Sequence, residues 1–242
     1  KYNSLHDAYK SIIEAFIHSG VANNTEVNIK WVDTEELETA TDIASYFEDI
    51  DGVLIPGGFG DRGIEGKILS SAYARENKIP YLGICLGMQC AIIDFARNVC
   101  GMKNANSSEF KSRLKFPVVD LMHGQRNVTK KGATMRLGAY PCEVKSGTNA
   151  YRAYGRKKIT ERHRHRFEVN NAFKNELVQS GLIISGVNND LDLVEMIEVR
   201  DHPWFVGVQF HPELKSRVVD VHPLFKDFIS AAKEYRNDGS ES

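Results

Sequence analysis

The sequence predicts an α/β fold: a doubly wound, mostly parallel central sheet with flanking helices and a nucleophile elbow, plus short antiparallel strands. Three observations predict it. Short apolar runs such as Gly52-Val53-Leu54-Ile55 and Trp204-Phe205-Val206-Gly207-Val208-Gln209-Phe210 read as strands buried on both faces. Helical periods separate such runs in the first half of the chain, as parallel strands require crossovers. One run, Pro80-Tyr81-Leu82-Gly83-Ile84, strikes the glycine-flanked Cys85 and continues at once as a helix through Ala91-Ile92-Ile93-Asp94-Phe95-Ala96.

In chain order, Ser4-Leu5-His6-Asp7 reads as a capping box, and Leu5, Ala8, Tyr9, Ile12, Ile13, Phe16 and Ile17 recur at helical spacing until Gly20. Val27-Asn28-Ile29-Lys30-Trp31-Val32 alternates as a strand. Residues 42–47 can form a short helix, residues 52–55 a buried strand ending at Pro56, and residues 65–77 a helix that delivers the chain into the elbow strand. From Phe116 the texture changes to short, partly antiparallel strands carrying Val118, Val119, Leu121, Met135, Leu137, Val144, Ile159 and Phe167. A helix at 172–180, strands at 182–186, 193–199 and 204–210, and a closing helix at 222–235 complete the pattern. Residues 1–236 read as one domain without internal repeat, and residues 237–242 as a frayed C-terminal tail.

Composition narrows the class. With 242 residues, 42% hydrophobic and 26% charged, the chain can bury one substantial core. A net charge of −1 supplies no global field for nucleic acid or an anionic membrane. No apolar run approaches membrane-spanning length and no signal-peptide core is present, so a cytoplasmic protein is expected. The four cysteines form neither a C-x-x-C pair nor a Cys/His cluster, so reduced thiols and no metal are expected.

The elbow sets up chemistry. A cysteine at a helix N-terminus meets backbone N–H groups and the positive end of the macrodipole, which favour a thiolate, and the next N–H, that of Leu86, can hold an oxyanion. A thiol nucleophile needs a base and a group to orient that base. His211 and Glu213 fit: if the segment is extended, both point to one face, and Pro212 keeps it non-helical. The glycines of Pro56-Gly57-Gly58-Phe59-Gly60 close an apolar strand, and Gly58 N–H is the candidate second oxyanion donor, although a G-G-x-G loop can also bind phosphate or simply make a turn. In an extended run Arg162, Arg164 and Arg166 share a face, and an arginine aimed into a pocket suits a carboxylate.

These residues resemble the class I (triad) glutamine amidotransferases, through Gly57-Gly58, Gly83-Ile84-Cys85-Leu86-Gly87-Met88-Gln89 and His211-Pro212-Glu213. Four further stretches resemble the amidotransferase domain of the CTP synthase family: Asp61-Arg62-Gly63-Ile64-Glu65-Gly66-Lys67, Asn104-Ala105-Asn106-Ser107-Ser108-Glu109-Phe110, Gly132-Ala133-Thr134-Met135-Arg136-Leu137-Gly138, and Glu161-Arg162-His163-Arg164-His165-Arg166-Phe167-Glu168-Val169-Asn170. The resemblance runs from about Lys1 to about Tyr235. It implies hydrolysis of L-glutamine to glutamate and ammonia by a Cys85, His211 and Glu213 triad, with Gly58 and Leu86 as oxyanion donors. Glutamine binding by Gly58, Leu86, Gly87, Met88, Gln89, Glu109 and Arg166 is implied too, Glu109 meeting the ammonium and Arg166 the carboxylate.

The same resemblance implies that the ammonia passes to a synthetase domain of the same parent chain, which aminates UTP with ATP and Mg. No cofactor is implied for the present domain. That family usually carries an apolar strand immediately before Lys1-Tyr2, so the chain is expected to be a piece of a longer polypeptide whose N-terminal synthetase domain is absent here. GTP is implied as an allosteric activator acting on an effector lid with Arg62, Gly63 and Glu65, made flexible by Gly60, Gly63 and Gly66. The loop at residues 123–131, with Arg126, Lys130 and Lys131, carries no interpretable motif.

Overall fold

The computed structural model describes residues 6–121 and 135–240. Ser4, Leu5 and the loop at 123–131 lie outside the described residues. A 3-10 turn at His6–Tyr9 leads into helix α1 (Lys10–Ala22), and helix α2 (Thr34–Thr39), which the sequence pattern did not indicate, is capped by the Asp33 side chain. A 3-10 turn at Ala44–Phe47 replaces the short helix expected there. Strand β1 (Val53–Ile55), helix α3 (Ile64–Glu76), strand β2 (Tyr81–Ile84) and helix α4 (Leu86–Asn98) follow the expected alternation. Next come β3 (Asn106–Ser107), β4 (Pro117–Leu121), β5 (Arg136–Val144), α5 (Asn149–Tyr154), β6 (Lys158–His165) and β7 (Phe167–Val169). The chain closes with α6 (Lys174–Gln179), β8 (Leu182–Asn188), β9 (Leu193–Val199), β10 (Phe205–Val208) and α7 (Pro223–Ser240).

The main sheet has the order β1-β2-β10-β9-β8-β5-β6, and a smaller sheet has the order β3-β4-β7. The expected α/β class holds, and the main sheet is mixed: β1, β2 and β10 are parallel neighbours, and every pairing from β10 to β6 is antiparallel. Alternation along the parallel strands divides the core between the two faces. Tyr81 and Phe205 stack at 4.2 Å on the face covered by α3 and α4, whereas Leu82, Ile84, Val206 and Val208 face α1 and α7. Burial on both faces is why these strands read as continuous apolar runs.

Two expectations fail for physical reasons. Residues 27–32 form no strand, although Val27 and Ile29 pack against the core on alternate positions. A strand needs a hydrogen-bonding neighbour, and a groove of about 610 Å³ lies against this segment, lined on its other side by β1. Helix α7 also runs past residue 236, to Ser240, where the pattern placed the start of a tail. The Ile55 carbonyl closes tightly on Gly87, where a Cβ would collide with it. Gly87→Ala should therefore cost at least about 2 kcal/mol of stability in urea unfolding; wild-type stability would contradict this packing.

Candidate active site

Three parallel strand ends meet at one sheet edge. The order β1-β2-β10 puts the Gly57-Gly58 turn, Cys85 and the segment leading to His211 side by side. Cys85 is held at φ 52° and ψ −99°, a conformation that costs a non-glycine residue about 1–3 kcal/mol. Its N–H donates to the Val208 carbonyl at 2.7 Å, and its carbonyl accepts the Gln89 N–H at 3.2 Å, so strand and helix grip the same residue. Gly83 and Gly87 permit the bend: a Cβ on Gly83 would lie 2.8 Å from the Gly87 carbonyl carbon. Buried Tyr81 donates its hydroxyl to the Gly87 carbonyl at 2.9 Å, fixing the turn from beneath.

His211 and Glu213 come together, though not by the expected route. Pro212–Leu214 is a 3-10 turn rather than an extended segment, because proline's fixed φ suits the first position of a helical turn, and the Leu214 N–H closes it on the His211 carbonyl at 3.2 Å. The turn brings Glu213 Oε1 to 2.7 Å from His211 Nδ1. The His211 N–H donates to the Arg162 carbonyl at 2.8 Å, so the curled sheet returns β6 to the end of β10. A Cβ on Gly57 would lie 2.8 Å from His211 Cε1 and 3.5 Å from Cys85 Cβ, which places ring and thiol beside the same glycine. Burial works to lower the His211 pKa, but the neighbouring Cys85, and then the hydrogen-bonded Glu213, outweigh it and raise it to about 10.

On the other side of Cys85 lies a cavity of about 280 Å³ lined by Gly58, Phe59, Gln89, Glu109 and the β6–β7 turn with Arg164, His165, Arg166 and Phe167. An anion and cations therefore share a small space with the thiol. Glu109 Oε1 accepts the Gly60 N–H at 3.3 Å. Gln89 is buried and donates its amide to the Phe167 carbonyl at 3.1 Å and to Gln209 Oε1 at 3.2 Å. Leu86, Gly87 and Met88, expected to contact the substrate, do not line this cavity; the Leu86 and Met88 side chains belong to the core, that of Leu86 packing against Gly58. Arg162 and Arg164 are exposed; Arg164 sits over the Phe59 ring at 5.6 Å.

The segment at 60–66 differs from the flexible loop expected from its glycines. Gly63 caps α3 at φ 68°, and Gly66 lies inside α3 where a Cβ would collide with the Thr34 carbonyl, so these glycines serve close packing. Glu65 is in the first turn of α3, bound to Arg97 at 2.6 Å. Arg62 remains half-exposed and pairs with Glu35 at 2.8 Å.

Residue-level reading of the sequence missed Gln209, whose amide Nε2 lies 3.6 Å from Cys85 Sγ. It also missed the buried polar cluster beneath the cavity, where Arg136 Nη2 meets Glu195 Oε1 at 2.5 Å and His163 Nδ1 meets His165 Nε2 at 2.8 Å. The available signal was period 2 along β6, which sets Glu161, His163 and His165 on the inner face opposite the arginines. Among the described residues no group of three or more His, Cys, Asp or Glu is arranged to hold a metal ion, and no helix is long and apolar enough to cross a membrane.

Residues 4–231 match the family model described as glutamine amidotransferase class-I. The chain is 57% identical over 232 residues to a CTP synthase of Clostridium kluyveri, covering 96% of this chain and 43% of that protein. It is 58% identical over 236 residues to a CTP synthase of Chlorobium phaeobacteroides, covering 97% and 42%. The chain thus spans less than half the length of these curated relatives. Among solved structures it is similar to the glutaminase domain of a Trypanosoma brucei CTPS with bound acivicin, at 37% identity and a TM-score of 0.90, covering 97% of this chain and 91% of that one.

Because the neighbouring Cys85 does most to raise the His211 pKa, Cys85→Ala should lower it by roughly a unit or more. Imidazole nitrogen shifts followed by NMR across the titration measure this. A value that stays near 10 would mean that Glu213 alone charges the ring.

Proposed function

We propose, from the premise that this chain belongs to the class-I glutamine amidotransferase family, that it is the glutaminase domain of a CTP synthase and hydrolyses L-glutamine to glutamate and ammonia. The carrying observation is the strained Cys85, set between the Gly57-Gly58 strand end and the His211 and Glu213 pair, with Glu109 and Arg166 in the adjoining cavity. A free α-amino acid presents an ammonium and a carboxylate at one end and, in glutamine, a primary amide at the other. Glu109 and Arg166 match the first end and the thiol the second.

In this reading the Cys85 thiolate attacks the side-chain carbonyl carbon, forming a C–S bond and a tetrahedral oxyanion that the Gly58 and Leu86 N–H groups hold. His211, protonated at neutral pH, gives its proton to the departing nitrogen as the C–N bond breaks, leaving ammonia and a γ-glutamyl thioester. Neutral His211 then takes a proton from water as the water oxygen attacks the thioester, and collapse returns glutamate and the thiolate. Glu213 holds the ring in one orientation throughout. Gln89 lines the cavity in which the amino-acid end is seated.

For the parent protein we assign transfer of the ammonia to a synthetase domain that aminates UTP with ATP and Mg, on the strength of the curated relatives' names and the shared motifs. GTP is assigned as activator through Arg62, whose exposed pair with Glu35 an anionic nucleotide can replace; Gly63 and Glu65 would carry the effect into α3. A cytoplasmic location is part of the same assignment.

Ammonia release from glutamine tests the reading. Cys85→Ala should abolish it, His211→Ala should lose most of it, and Glu213→Ala less, since an orienting group contributes less than the base it orients. Arg166→Ala and Glu109→Ala should chiefly raise KM, by roughly tenfold or more for each charge-assisted hydrogen bond removed. Turnover surviving Cys85→Ala would refute the nucleophile, and a pure kcat effect at Arg166 and Glu109 would refute their place on the substrate.

A further inference from the structure

Beneath the cavity five polar side chains are buried together: Arg136 on β5, His163 and His165 on β6, Glu168 on β7 and Glu195 on β9. Arg136 binds Glu195 at 2.5 Å and Glu168 at 3.4 Å. His165 Nδ1 lies 3.4 Å from Glu168 Oε1, and His163 Nε2 lies 3.7 Å from Glu195 Oε2. With the 2.8 Å contact between the two rings, the five side chains close around one guanidinium.

This cluster grips two walls of the cavity. His165 and Glu168 flank Arg166 and Phe167, so both ends of the turn that carries Arg166 are tied to Arg136 or its partners. On the opposite side the Glu195 carbonyl accepts the Gln209 N–H at 2.9 Å, and the Gln209 amide reaches Cys85 and Gln89. We infer that this cluster is a positioning unit which, by holding Glu168 and Glu195 around the Arg136 guanidinium, fixes the alignment of Arg166 at the cavity and of Gln209 beside Cys85. The inference rests on the reading of Arg166 as the cation that meets the substrate carboxylate.

Proton counting supports it. Two ionised carboxylates around one guanidinium would leave a net negative charge in a dry site, which is costly. Burial, with the charge of Glu195, holds the Glu168 carboxyl up at about 8 against the pull of Arg136, and burial with Arg136 pushes His163 to about 2 and His165 to about 3. Burial raises the Glu195 carboxyl as well, against the pull of Arg136, so the two carboxyls compete for ionisation beside one guanidinium while both rings stay neutral at pH 7. Above about pH 8 Glu168 ionises and adds a negative charge behind Arg166. The other groups facing it are Asp120, paired with it across β4 and β7, and, at longer range, His211.

The test is the ratio of Cys85 alkylation rates with iodoacetate and iodoacetamide, read on the Cys85 peptide from about pH 6 to about pH 9.5. Both reagents meet the same thiol, so its ionisation cancels and the ratio reads the charges around it; His211, raised to about 10, stays charged over most of this range, and the Arg166→Ala control gives the share due to Arg166. In the wild type it should fall about threefold to tenfold as pH rises through about 8, and in Glu168→Gln it should stay flat. Arg136→Met should lower it at all pH values toward the value of Arg166→Ala, and should raise KM for glutamine roughly tenfold with kcat little changed. The same alkaline fall in Glu168→Gln, a wild-type ratio in a folded Arg136→Met, or a wild-type ratio in Arg166→Ala would each overturn the inference. If Arg136→Met does not fold, the Glu168→Gln comparison decides alone. A wild-type chain that releases no ammonia would refute the proposed function, while the alkylation ratio would still decide the positioning.

Discussion

The structure depends on one strained residue. Cys85 occupies a backbone region that disfavours side chains, and it stays there because the fold holds it from three directions: the Val208 carbonyl takes its N–H, α4 begins on its carbonyl, and Gly83 and Gly87 close the space behind it. Much of the core is arranged to make that position unavoidable. Tyr81 and Phe205 stack beneath the turn, and the Ile55 carbonyl locks onto Gly87, so β1, β2 and β10 can align only one way at their carboxyl ends. The alignment that strains the cysteine is also the one that brings Gly58 and His211 to it.

Electrostatics then divide the site into two regions. Behind the thiol, His211 is charged despite burial, because Cys85 and Glu213 supply negative charge at short range. Below the cavity, burial acts with Arg136 to keep two histidines neutral, and a carboxyl retains its proton near neutrality. The same residue type thus takes opposite protonation states a few strands apart: burial, reinforced by Arg136, keeps His163 and His165 neutral, whereas Cys85 and Glu213 overcome burial at His211. A reaction that moves a proton at His211 needs a surrounding that does not exchange protons with it, and a neutral floor meets that need.

The parts legible in the sequence were those governed by local physics. The elbow was readable because only glycines at 83 and 87 tolerate the bend, and the parallel strands because burial on both faces leaves continuous apolar runs. The parts that escaped depend on distant partners. Val27 and Ile29 alternate like a strand, yet pairing needs a neighbour that the pattern cannot supply. Gly63 and Gly66 look like hinges in sequence, and only the approach of Thr34 reveals them as packing glycines. Arg136 and Glu195 lie on β5 and β9, and nothing local to either marks them as partners.

The central claim is that Cys85 is the nucleophile in a covalent step. Its most direct measurement is rapid acid quench of the chain with isotopically labelled glutamine, followed by mass spectrometry of the proteolysed protein. The account predicts a labelled γ-glutamyl group on Cys85, separated from Cys90 by fragment ions of their shared peptide, and none on Cys90, Cys100 or Cys142. Label on another residue, or glutamine turnover with no label on any cysteine, would contradict it.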